Sequence, residues 1–296
     1  MNSEGTAEQA PAARAAAAAM ADARARLARA GVQSARLDAE LLLAAAAGVS
    51  RAAVIANAAR IDADVLDRFE AMVTRRAARE PLAYIVGRRE FFSLDLMVRP
   101  GVLIPRPETE TAVEAALDFL RTHPAAYVLD IGTGSGAIAI AIAANAPEAR
   151  IIAVDISKVS LEIAAGNAAR HRCDHRIAFL EGDCFSALDA DGTPFDLIVS
   201  NPPYIARSEI AALEPEVRDF EPGIALEGGS DGMDFYRRIA AGLARWLAPG
   251  GEVILEIGAD QAGAVAAMMH GAGCSATKRL RDLAGVDRVV RALRAA

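Results

Sequence analysis

The first part of the chain has its apolar residues at helical spacing. In the string ARLDAELLLAAAAG this spacing places Leu37, Leu41 and Ala44 on one face of a helix. Gly48 follows directly, and glycine is the residue that most readily adopts the left-handed conformation at the end of a helix. The pattern therefore predicts a helix that ends at Gly48.

A second helix is predicted for the string DADVLDRFEAMVTRRAARE. Its apolar residues recur at the same spacing, and either Asp62 or Asp64 can cap its N-terminus. Together these helices indicate a small helical bundle over residues 1–85. Its alanine-rich beginning, roughly residues 1–18, is expected to be a flexible tail that leads into a helix.

The period of the pattern then changes. From Phe92 to Val98 apolar residues alternate with polar or smaller ones, as in a β-strand, and Pro100 with Gly101 predicts a turn before the string VLIPR. We therefore predict a β-hairpin linker over residues 86–104.

From Pro105 onward, apolar strand-like strings alternate with helix-length segments. The strand-like strings are AYVLDIG, RIIAVDIS, RIAFLEGD, FDLIVSN and GGEVILEIG, and the closing stretch reads as two further strands. This alternation predicts an α/β domain with a parallel, doubly wound sheet over residues 105–296. Ligands of such sheets bind beyond the carboxyl ends of the strands.

The composition is that of a soluble globular protein with a sizeable core. Of the 296 residues, 53% are hydrophobic and 24% are charged. No apolar run approaches the roughly 20 residues that span a bilayer. The net charge is −7, and because residues 1–90 carry 13 Arg against 11 Asp and Glu, the remainder carries −9. An acidic body argues against stable binding to long stretches of nucleic-acid backbone.

The cysteines and histidines indicate no metal site. Cys173, Cys184 and Cys274 are scattered without a C-x-x-C pair, and the four histidines form no ligand pattern. We therefore expect neither a disulfide framework nor a bound metal, and we expect the protein to reside in the reducing cytoplasm.

A glycine-rich loop follows the first strand of the α/β domain, in the string LDIGTGSGAIAI. Gly132, Gly134 and Gly136 let the backbone turn tightly and approach a ligand, and the next helix presents its N-terminal N–H groups there. Asp155 ends the second strand, where its carboxylate can accept hydrogen bonds from ribose hydroxyls. These residues indicate a cofactor that contains a nucleoside. Asp155 could instead cap the next helix, but Ser157 serves that role as well or better.

The end of the third strand offers a further candidate. Asp183 could accept a hydrogen bond from the exocyclic amine of adenine, while Cys184 and Phe185 could contact the adenine ring. A local turn stabilised by Asp183 explains the same residue equally well.

The fourth strand ends in Asn-Pro-Pro-Tyr at the same predicted edge of the sheet. The side-chain carbonyl of Asn201 and the backbone carbonyl of Pro202 are two acceptors that suit the hydrogens of a planar –NH2 group, and Tyr204 could lie against that group. An amide nitrogen held in this way could be aimed at an electrophilic methyl group. Termination of a strand by Pro202 and Pro203 is the alternative explanation.

Several long strings resemble one known family. After the residues described above, the strings EPLAYIVGRREFFSLDLMV, VLIPRPETE, FEPGIALEGGSDGMDFYRRI and LRDLAGVDRVV are similar to the peptide chain release factor glutamine methyltransferases, the PrmC (HemK) family, across roughly residues 20–292. The resemblance implies a helical bundle that helps to dock the release factor, a hairpin linker and a seven-stranded class I methyltransferase domain.

The resemblance also implies roles for individual residues. S-adenosylmethionine would be bound by the glycine loop and the strand ends, namely Gly132, Thr133, Gly134, Ser135, Gly136, Asp155, Asp183, Cys184 and Asn201. The acceptor glutamine, in the Gly-Gly-Gln loop of a release factor, would be held by Asn201, Pro202, Pro203 and Tyr204. Position 184 departs from the family, whose members often carry a larger apolar or aromatic side chain there.

The string PRPETE leaves the role of Arg106 open. Arg106 could form an ion pair that joins the linker to the α/β domain, or it could contact the substrate. Glu108 lies at the start of a predicted helix, where a carboxylate suits the helix dipole, so we expect it to be structural.

Three other functions fit parts of the sequence. A nucleic-acid amine methyltransferase would recognise the same –NH2 group, but it usually needs a cationic surface. An NAD-dependent oxidoreductase could use the same glycine string, which also satisfies G-x-G-x-x-A. A non-catalytic module that binds a translation factor would not need the intact glycines, Asp155 and Asn201.

Overall fold

The computed structural model describes residues 4–295, and these form eleven α-helices and nine β-strands. The helices are α1 (Glu4–Arg29), α2 (Ala35–Ala47), α3 (Arg51–Ile55), α4 (Ala63–Ala77), α5 (Leu82–Val86), α6 (Glu110–Leu120), α7 (Ala137–Asn145), α8 (Lys158–Arg170), α9 (Pro215–Phe220), α10 (Asp234–Trp246) and α11 (Ala262–Gly271). The strands are β1 (Arg88–Phe91), β2 (Leu94–Met97), β3 (Tyr127–Ile131), β4 (Arg150–Asp155), β5 (Ile177–Glu181), β6 (Phe195–Ser200), β7 (Leu247–Glu256), β8 (Cys274–Arg281) and β9 (Asp287–Arg294).

The chain divides into two compact units. The first contains the residues up to Gly87 together with α9, and the second contains Arg88–Glu214 and Glu221–Ala296. Of the tail expected to be flexible, residues 1–3 lie outside the described residues, and the chain is helical from Glu4 onward. No helix in the described part of the chain is long and apolar enough to cross a membrane.

The first unit is a helical bundle with its own apolar core. Leu27, Leu42, Phe69 and Val73, from three different helices, are almost fully buried in one cluster. The predicted ends of the helices are confirmed, because Gly48 adopts the left-handed conformation after α2 and the Asp62 side chain accepts the Val65 N–H before α4.

The predicted apolar face of α2 is confirmed at Ala44, which is buried, but it is wrong at Leu37. Leu37 is 42% exposed, whereas Asp38 and Glu40 are buried. The reason is ion pairing: Asp38 Oδ2 lies 2.7 Å from Arg76 Nε, and Glu40 accepts hydrogen bonds from three arginine side chains, including that of Arg51. Paired in this way, two carboxylates occupy positions that hydrophobic spacing alone assigns to solvent.

The hairpin is present, and the predicted turn at Pro100 and Gly101 is confirmed, because the Val102 N–H donates to the Arg99 carbonyl at 3.3 Å. The turn that joins the two strands of the hairpin lies earlier in the chain. Strands β1 and β2 pair antiparallel with Phe91 opposite Leu94, so the turn residues are Phe92 and Ser93. Both have positive φ, as in the two-residue turns that match the twist of a hairpin. The backbone N–H groups of Phe92 and Ser93 are held by the carboxylates of Glu110 and Glu90, respectively, which stabilises a conformation that neither residue type favours.

The second unit contains a seven-stranded sheet, as predicted, in the order β5-β4-β3-β6-β7-β9-β8. Strands β3 to β7 are parallel to one another, but β9 is antiparallel to both β7 and β8. The parallel arrangement that the alternation predicts is therefore confirmed for five strands and does not extend to β8 and β9. A short connection between β8 and β9 allows an antiparallel pair, whereas a parallel pair needs a crossover.

The register of the parallel strands places their ends at one edge. Ile131 of β3 pairs with Val154 of β4 and with Ser200 of β6. The residues that follow these three positions therefore emerge side by side. Alternate residues of β3 enter two different apolar clusters of this unit, Val128 the first apolar cluster and Leu129 the second, so helices cover both faces of the sheet.

Candidate active site

A cavity of about 340 Å³ lies at this edge of the sheet, beyond the ends of β3, β4, β5 and β6. This volume lies within the usual range for small-molecule sites, about 300–1,000 Å³. The residues that follow all four strands line it, as does the segment Gly101–Thr109 in part. The cavity therefore occupies the position at which open α/β sheets bind their ligands.

The glycine loop forms one wall of the cavity. Gly132, Gly134 and Gly136 all have positive φ. A Cβ atom at Gly132 would meet nothing within 4 Å, so the missing side chain leaves open space beside the backbone. A Cβ atom at Gly136 would lie only 2.7 Å from Ile140 Cδ1 and 3.1 Å from Ala164 Cβ, because α7 begins here against α8. The loop can thus admit a ligand on one side while it packs tightly on the other.

Asp155 faces the loop from the neighbouring strand. Its Oδ2 accepts the Gly134 N–H at 2.8 Å, and its Oδ1 accepts the Ser157 N–H at 2.8 Å. Burial raises the pKa of Asp155, while these backbone donors oppose the rise. The capping role belongs to Ser157, whose hydroxyl accepts the Ser160 N–H at the start of α8. The Asp155 carboxylate lines the cavity, where its remaining lone pairs can accept hydroxyl groups.

The third strand end brings Asp183 and Cys184 into the cavity wall. Both functions considered for Asp183 have structural support, because its carboxylate caps the short helix that begins at Cys184 and also lines the cavity. Phe185 does not serve as the expected ring contact, since it stacks on Trp246 at a centroid distance of 6.3 Å, in the second apolar cluster.

The same wall contains two residues to which the sequence assigned no role. Phe235 and Arg238 of α10 line the cavity, and the Arg238 guanidinium lies 5.0 Å from the centre of the Phe235 ring. Arg238 also forms an ion pair with Asp183. Both residues belong to the string FEPGIALEGGSDGMDFYRRI, which carried the family resemblance, so the signal was present but was not assigned to individual side chains.

The Asn-Pro-Pro-Tyr corner forms the opposite wall. Asn201, Pro202 and Pro203 line the cavity after β6. Asn201 Nδ2 donates to Thr109 Oγ1 at 3.1 Å. Because one end of the amide is engaged in this way, the other end, Oδ1, is the part of the side chain that remains to accept a hydrogen bond from a ligand.

Tyr204 lies behind this corner. Its ring packs against the second apolar cluster, and its hydroxyl donates to Glu256 Oε1 at 3.4 Å. Burial raises the pKa of Tyr204 to about 12, and the nearby Glu256 carboxylate adds to the rise. Its backbone carbonyl accepts Gln261 Nε2 at 2.9 Å. The described contacts of Tyr204 thus hold the corner in place, and contact of its ring with a substrate stays a prediction.

Arg106 forms an ion pair at the rim of the cavity. Its Nη2 lies 2.5 Å from Glu221 Oε1, and the Glu221 side chain is 1% exposed. Glu221 Oε2 also accepts the Ile104 N–H at 3.0 Å. The ion pair therefore connects the segment before α6 with the segment after α9, and Arg106, which lines the cavity with a 30% exposed side chain, is also free to meet a substrate.

Among residues 4–295, no group of three or more His, Cys, Asp and Glu side chains is arranged to hold a metal ion.

Two family models match the chain. One, described as the PrmC N-terminal domain, matches residues 18–87. The other, described as the methyltransferase small domain, matches residues 94–214, which include the glycine loop and the Asn-Pro-Pro-Tyr corner.

Individual relatives and a solved structure are also similar to the chain. A release factor glutamine methyltransferase of Geobacter sulfurreducens is 46% identical over 265 residues, which cover 89% of this chain and 91% of the relative. One of Caulobacter vibrioides is 42% identical over 266 residues, covering 90% and 91%. The crystal structure of a methyltransferase from Pyrococcus furiosus aligns with a TM-score of 0.51 at 19% identity, over 77% of this chain and 98% of that one, which supports the fold alone.

Proposed function

The chain belongs to the release factor glutamine methyltransferase family, and on that premise we propose that it transfers the methyl group of S-adenosylmethionine to a release factor glutamine. The acceptor is the side-chain amide nitrogen in the Gly-Gly-Gln loop, so the enzyme modifies the factor that terminates translation. The observation that carries this proposal is the position of Asn201 and Pro202, which lie in the same cavity as the glycine loop and Asp155.

The glycine loop and the strand ends fit a nucleoside-containing cofactor. The open space beside Gly132 admits a ligand close to the backbone, and Asp155 offers acceptors for ribose hydroxyls. Thr133, Ser135, Asp183 and Cys184 line the same part of the cavity. S-adenosylmethionine, when bound there, supplies an electrophilic methyl group on its sulfonium.

The opposite wall fits the acceptor amide. An amide nitrogen is a poor nucleophile because its lone pair is delocalised into the carbonyl group. Asn201 Oδ1 and the Pro202 carbonyl would accept its two hydrogens and hold the nitrogen toward the cofactor. As the bond between the nitrogen and the methyl carbon forms, the bond between that carbon and the sulfonium sulfur would break and leave S-adenosylhomocysteine. The two acceptors would favour the pyramidal nitrogen, which is stabilisation specific to the transition state. The positive charge on the methylated nitrogen makes it acidic enough to release a proton to water.

The remaining parts of the chain are assigned by the same premise. We propose that the helical bundle, residues 1–85, helps to dock the release factor, that the hairpin, residues 86–104, is a linker, and that residues 105–296 perform the methyl transfer. Tyr204, Pro203 and Arg106 contribute to the substrate side of the cavity. Release factors act in the cytoplasm, and we place the protein there. Stable binding to nucleic acid is not part of the proposal, because the body of the chain is acidic.

Mass spectrometry of a bacterial release factor tests this function. The factor is incubated with the protein and S-adenosylmethionine, digested, and searched for a gain of one methyl group on the Gly-Gly-Gln glutamine. We expect that glutamine to be methylated, and a factor in which it is replaced by alanine to remain unmodified. Transfer of the methyl group to RNA or DNA, with none to the release factor, would refute the proposal in favour of a nucleic-acid amine methyltransferase.

A thermal-shift measurement separates the cofactors. A ligand that binds only the folded state raises the melting temperature. S-adenosylhomocysteine should therefore raise it, whereas NAD at the same concentration should not. The reverse result would favour an oxidoreductase.

A further inference from the structure

A line of hydrogen-bonding groups runs behind the Asn-Pro-Pro-Tyr corner. Asn201 Nδ2 donates to Thr109 Oγ1 at 3.1 Å, and the Thr109 side chain lies close enough to the Glu256 carboxyl group to favour its charged form. Tyr204 donates to Glu256 Oε1 at 3.4 Å. Thr109 precedes α6 and Glu256 ends β7, so two elements of the second unit meet the corner at this point.

The chemistry of these groups fixes the direction of the line. Above its raised pKa, the Glu256 carboxylate is ionised and can only accept hydrogen bonds, and a threonine hydroxyl has one hydrogen to donate. Glu256 is 1% exposed, and its Oε2 has no well-aligned donor among the described residues, so the Thr109 hydrogen is drawn to this carboxylate. When the Thr109 hydroxyl hydrogen points to Glu256, Thr109 Oγ1 can only accept a further hydrogen bond. Asn201 Nδ2 is the group that donates to it.

The direction matters because an asparagine amide has two unlike ends. If the amide turned over, Asn201 would present its NH2 group to the NH2 group of the acceptor, and the two would repel. We infer that Thr109 and Glu256 are positioning residues, which keep Asn201 Oδ1 turned into the cavity as an acceptor for the substrate amide. This inference rests on the proposed function, since it concerns the same acceptor.

The surroundings of Glu256 support the assignment. Burial raises the pKa of Glu256 to about 7, and the Thr109 hydrogen bond opposes the rise, as expected for a hydroxyl that donates to the charged form. Three other groups act on the pKa of Glu256. The charge of Arg288 and the hydrogen bond from Tyr204 lower it, and the charge of Glu108 raises it. A buried carboxylate is costly to maintain, so a role in orienting Asn201 gives a reason for its presence that packing does not.

The test compares side chains that keep or remove the Thr109 hydroxyl. Thr109→Val keeps the shape and removes the hydroxyl, and Thr109→Ser keeps the hydroxyl. Thr122→Val is the matched control, because the Thr122 hydroxyl donates to the Phe119 carbonyl at the far end of α6. For each variant, kcat and KM for the release factor, Kd for S-adenosylhomocysteine and the melting temperature are measured.

We expect Thr109→Val to lower kcat by roughly 10- to 100-fold, the scale of a misplaced reactive group, with the cofactor Kd unchanged. Thr109→Ser and Thr122→Val should retain most of the wild-type kcat. Glu256→Gln should lower kcat by a smaller factor, because the Gln amide can still accept from Thr109 in one of its two orientations. The double variant Thr109→Val with Glu256→Gln should be no slower than Thr109→Val alone. Without the Thr109 hydroxyl, Glu256 can no longer act on Asn201, so a change at Glu256 has no further effect on kcat.

The inference is overturned if Thr109→Val turns over like the wild type, if Thr109→Ser is as slow as Thr109→Val, or if the Thr109→Val and Glu256→Gln losses multiply. Should Thr109→Val fail to fold, Glu256→Gln carries the test, because it preserves volume and a normal kcat would exclude Glu256. Failure of the proposed function gives a different result, namely a wild-type protein that does not methylate the release factor at all.

Discussion

At the scale of single residues, two aspartates of the site both stabilise the local backbone and line the cavity. Asp155 holds the backbone of Gly134 and Ser157, and it also presents oxygen atoms to the cavity. Asp183 caps a short helix and pairs with Arg238 in the cavity wall. An explanation of either aspartate by local structure alone or by ligand binding alone would therefore be incomplete.

Replacing Asp155 tests its part in cofactor binding. Asp155→Asn keeps the size of the side chain but loses the charge, and a hydrogen bond to a charged group contributes about 1.5 kcal/mol or more, so the Kd for S-adenosylhomocysteine should rise roughly tenfold. Isothermal titration calorimetry measures this Kd. Asp174→Ala, at an exposed position before β5, is the control and should bind like the wild type. An unchanged Kd for Asp155→Asn would remove this residue from the cofactor site.

Sequence reasoning located the part of the cavity wall that the strand ends form, but not the rest of it. Gly132, Gly134, Asp155, Cys184 and Asn201 were predicted because each lies at or after the end of a strand, and the ends of parallel strands share an edge. Phe235 and Arg238 were not predicted because they lie on α10, and the position of a strand end does not indicate which side chains of a helix face the cavity. The contact expected of Phe185 was wrong for a related reason, since its ring turns inward to stack on Trp246.

At the scale of elements, the start of α7 is the most constrained feature of the site. Gly136 combines a φ of +82° with a position at which a Cβ atom would force Ile140 and Ala164 to shift. The left-handed conformation excludes most other residues by itself, and the contact with Ile140 adds a second restriction. Gly136 therefore allows α7 to pack closely against α8, whereas Gly132 leaves room for a ligand beside the backbone.

Gly136→Ala tests this distinction. A non-glycine residue in the left-handed conformation costs about 1–2 kcal/mol, and the clash with Ile140 adds to this, so the free energy of unfolding should fall by at least that amount. Displacement of α7 should also weaken the binding of S-adenosylhomocysteine. Urea unfolding and calorimetry measure the two effects.

Gly250→Ala is the matched control for Gly136→Ala. Gly250 has a φ of +75° but nothing within 4 Å of its Cβ position, so it carries the conformational strain without the clash. This variant should lose less stability and keep its cofactor affinity. Equal losses of stability in the two variants would show that packing at the start of α7 is unimportant.

Other elements show where hydrophobic periodicity fails. The hydrophobic pattern does not predict that Asp38 of α2 is buried against Arg76, because Arg76 lies on a different helix, α4. The pattern also does not predict that Phe92 and Ser93 form the hairpin turn, because these residue types seldom adopt the conformation of such a turn. The carboxylates of Glu90 and Glu110 stabilise that conformation here. In both cases a polar contact overrides the local preference.

At the scale of the whole molecule, the order of the elements was more predictable than their grouping. The class of fold and the seven strands follow from the alternation of strands and helices together with the family resemblance. The inclusion of α9 in the first unit was not foreseen. Its Glu216 forms ion pairs with Arg76 at 2.9 Å and with Arg79 at 2.5 Å, and the partners lie too far away in the sequence for any local pattern to reveal.

The buried carboxyl of Glu256 predicts a dependence of stability on pH. Its pKa is raised from 4.5 to about 7 in the folded state, so between these pH values the folded protein holds a proton that the unfolded chain has released. The free energy of unfolding should therefore fall as the pH rises from about 4.5 to 7, by about 1.4 kcal/mol for each unit of the shift. Asp130, whose pKa burial also raises to about 7, adds a similar dependence.

Glu256→Gln isolates the contribution of this one group. The variant should match the wild type at pH 5 and exceed its stability at pH 8, by up to about 3 kcal/mol, while it loses activity. Fluorescence of the single tryptophan, Trp246, follows urea unfolding of the second unit. Glu114→Gln, at an exposed position on α6, should follow the wild-type curve. Parallel curves for wild type and Glu256→Gln would contradict the prediction.

The central claim is that Asn201 holds the acceptor amide for methyl transfer, and the single-turnover rate of Asn201→Ala measures this most directly. With saturating S-adenosylmethionine and release factor, the account predicts that the transfer rate falls by at least about 100-fold, the usual effect of removing one preorganised hydrogen-bond partner, while the Kd for S-adenosylhomocysteine stays close to that of the wild type. Asn145→Ala, which removes an amide that bonds only within α7 in the described contacts, should transfer at the wild-type rate. A wild-type rate in Asn201→Ala would contradict the account.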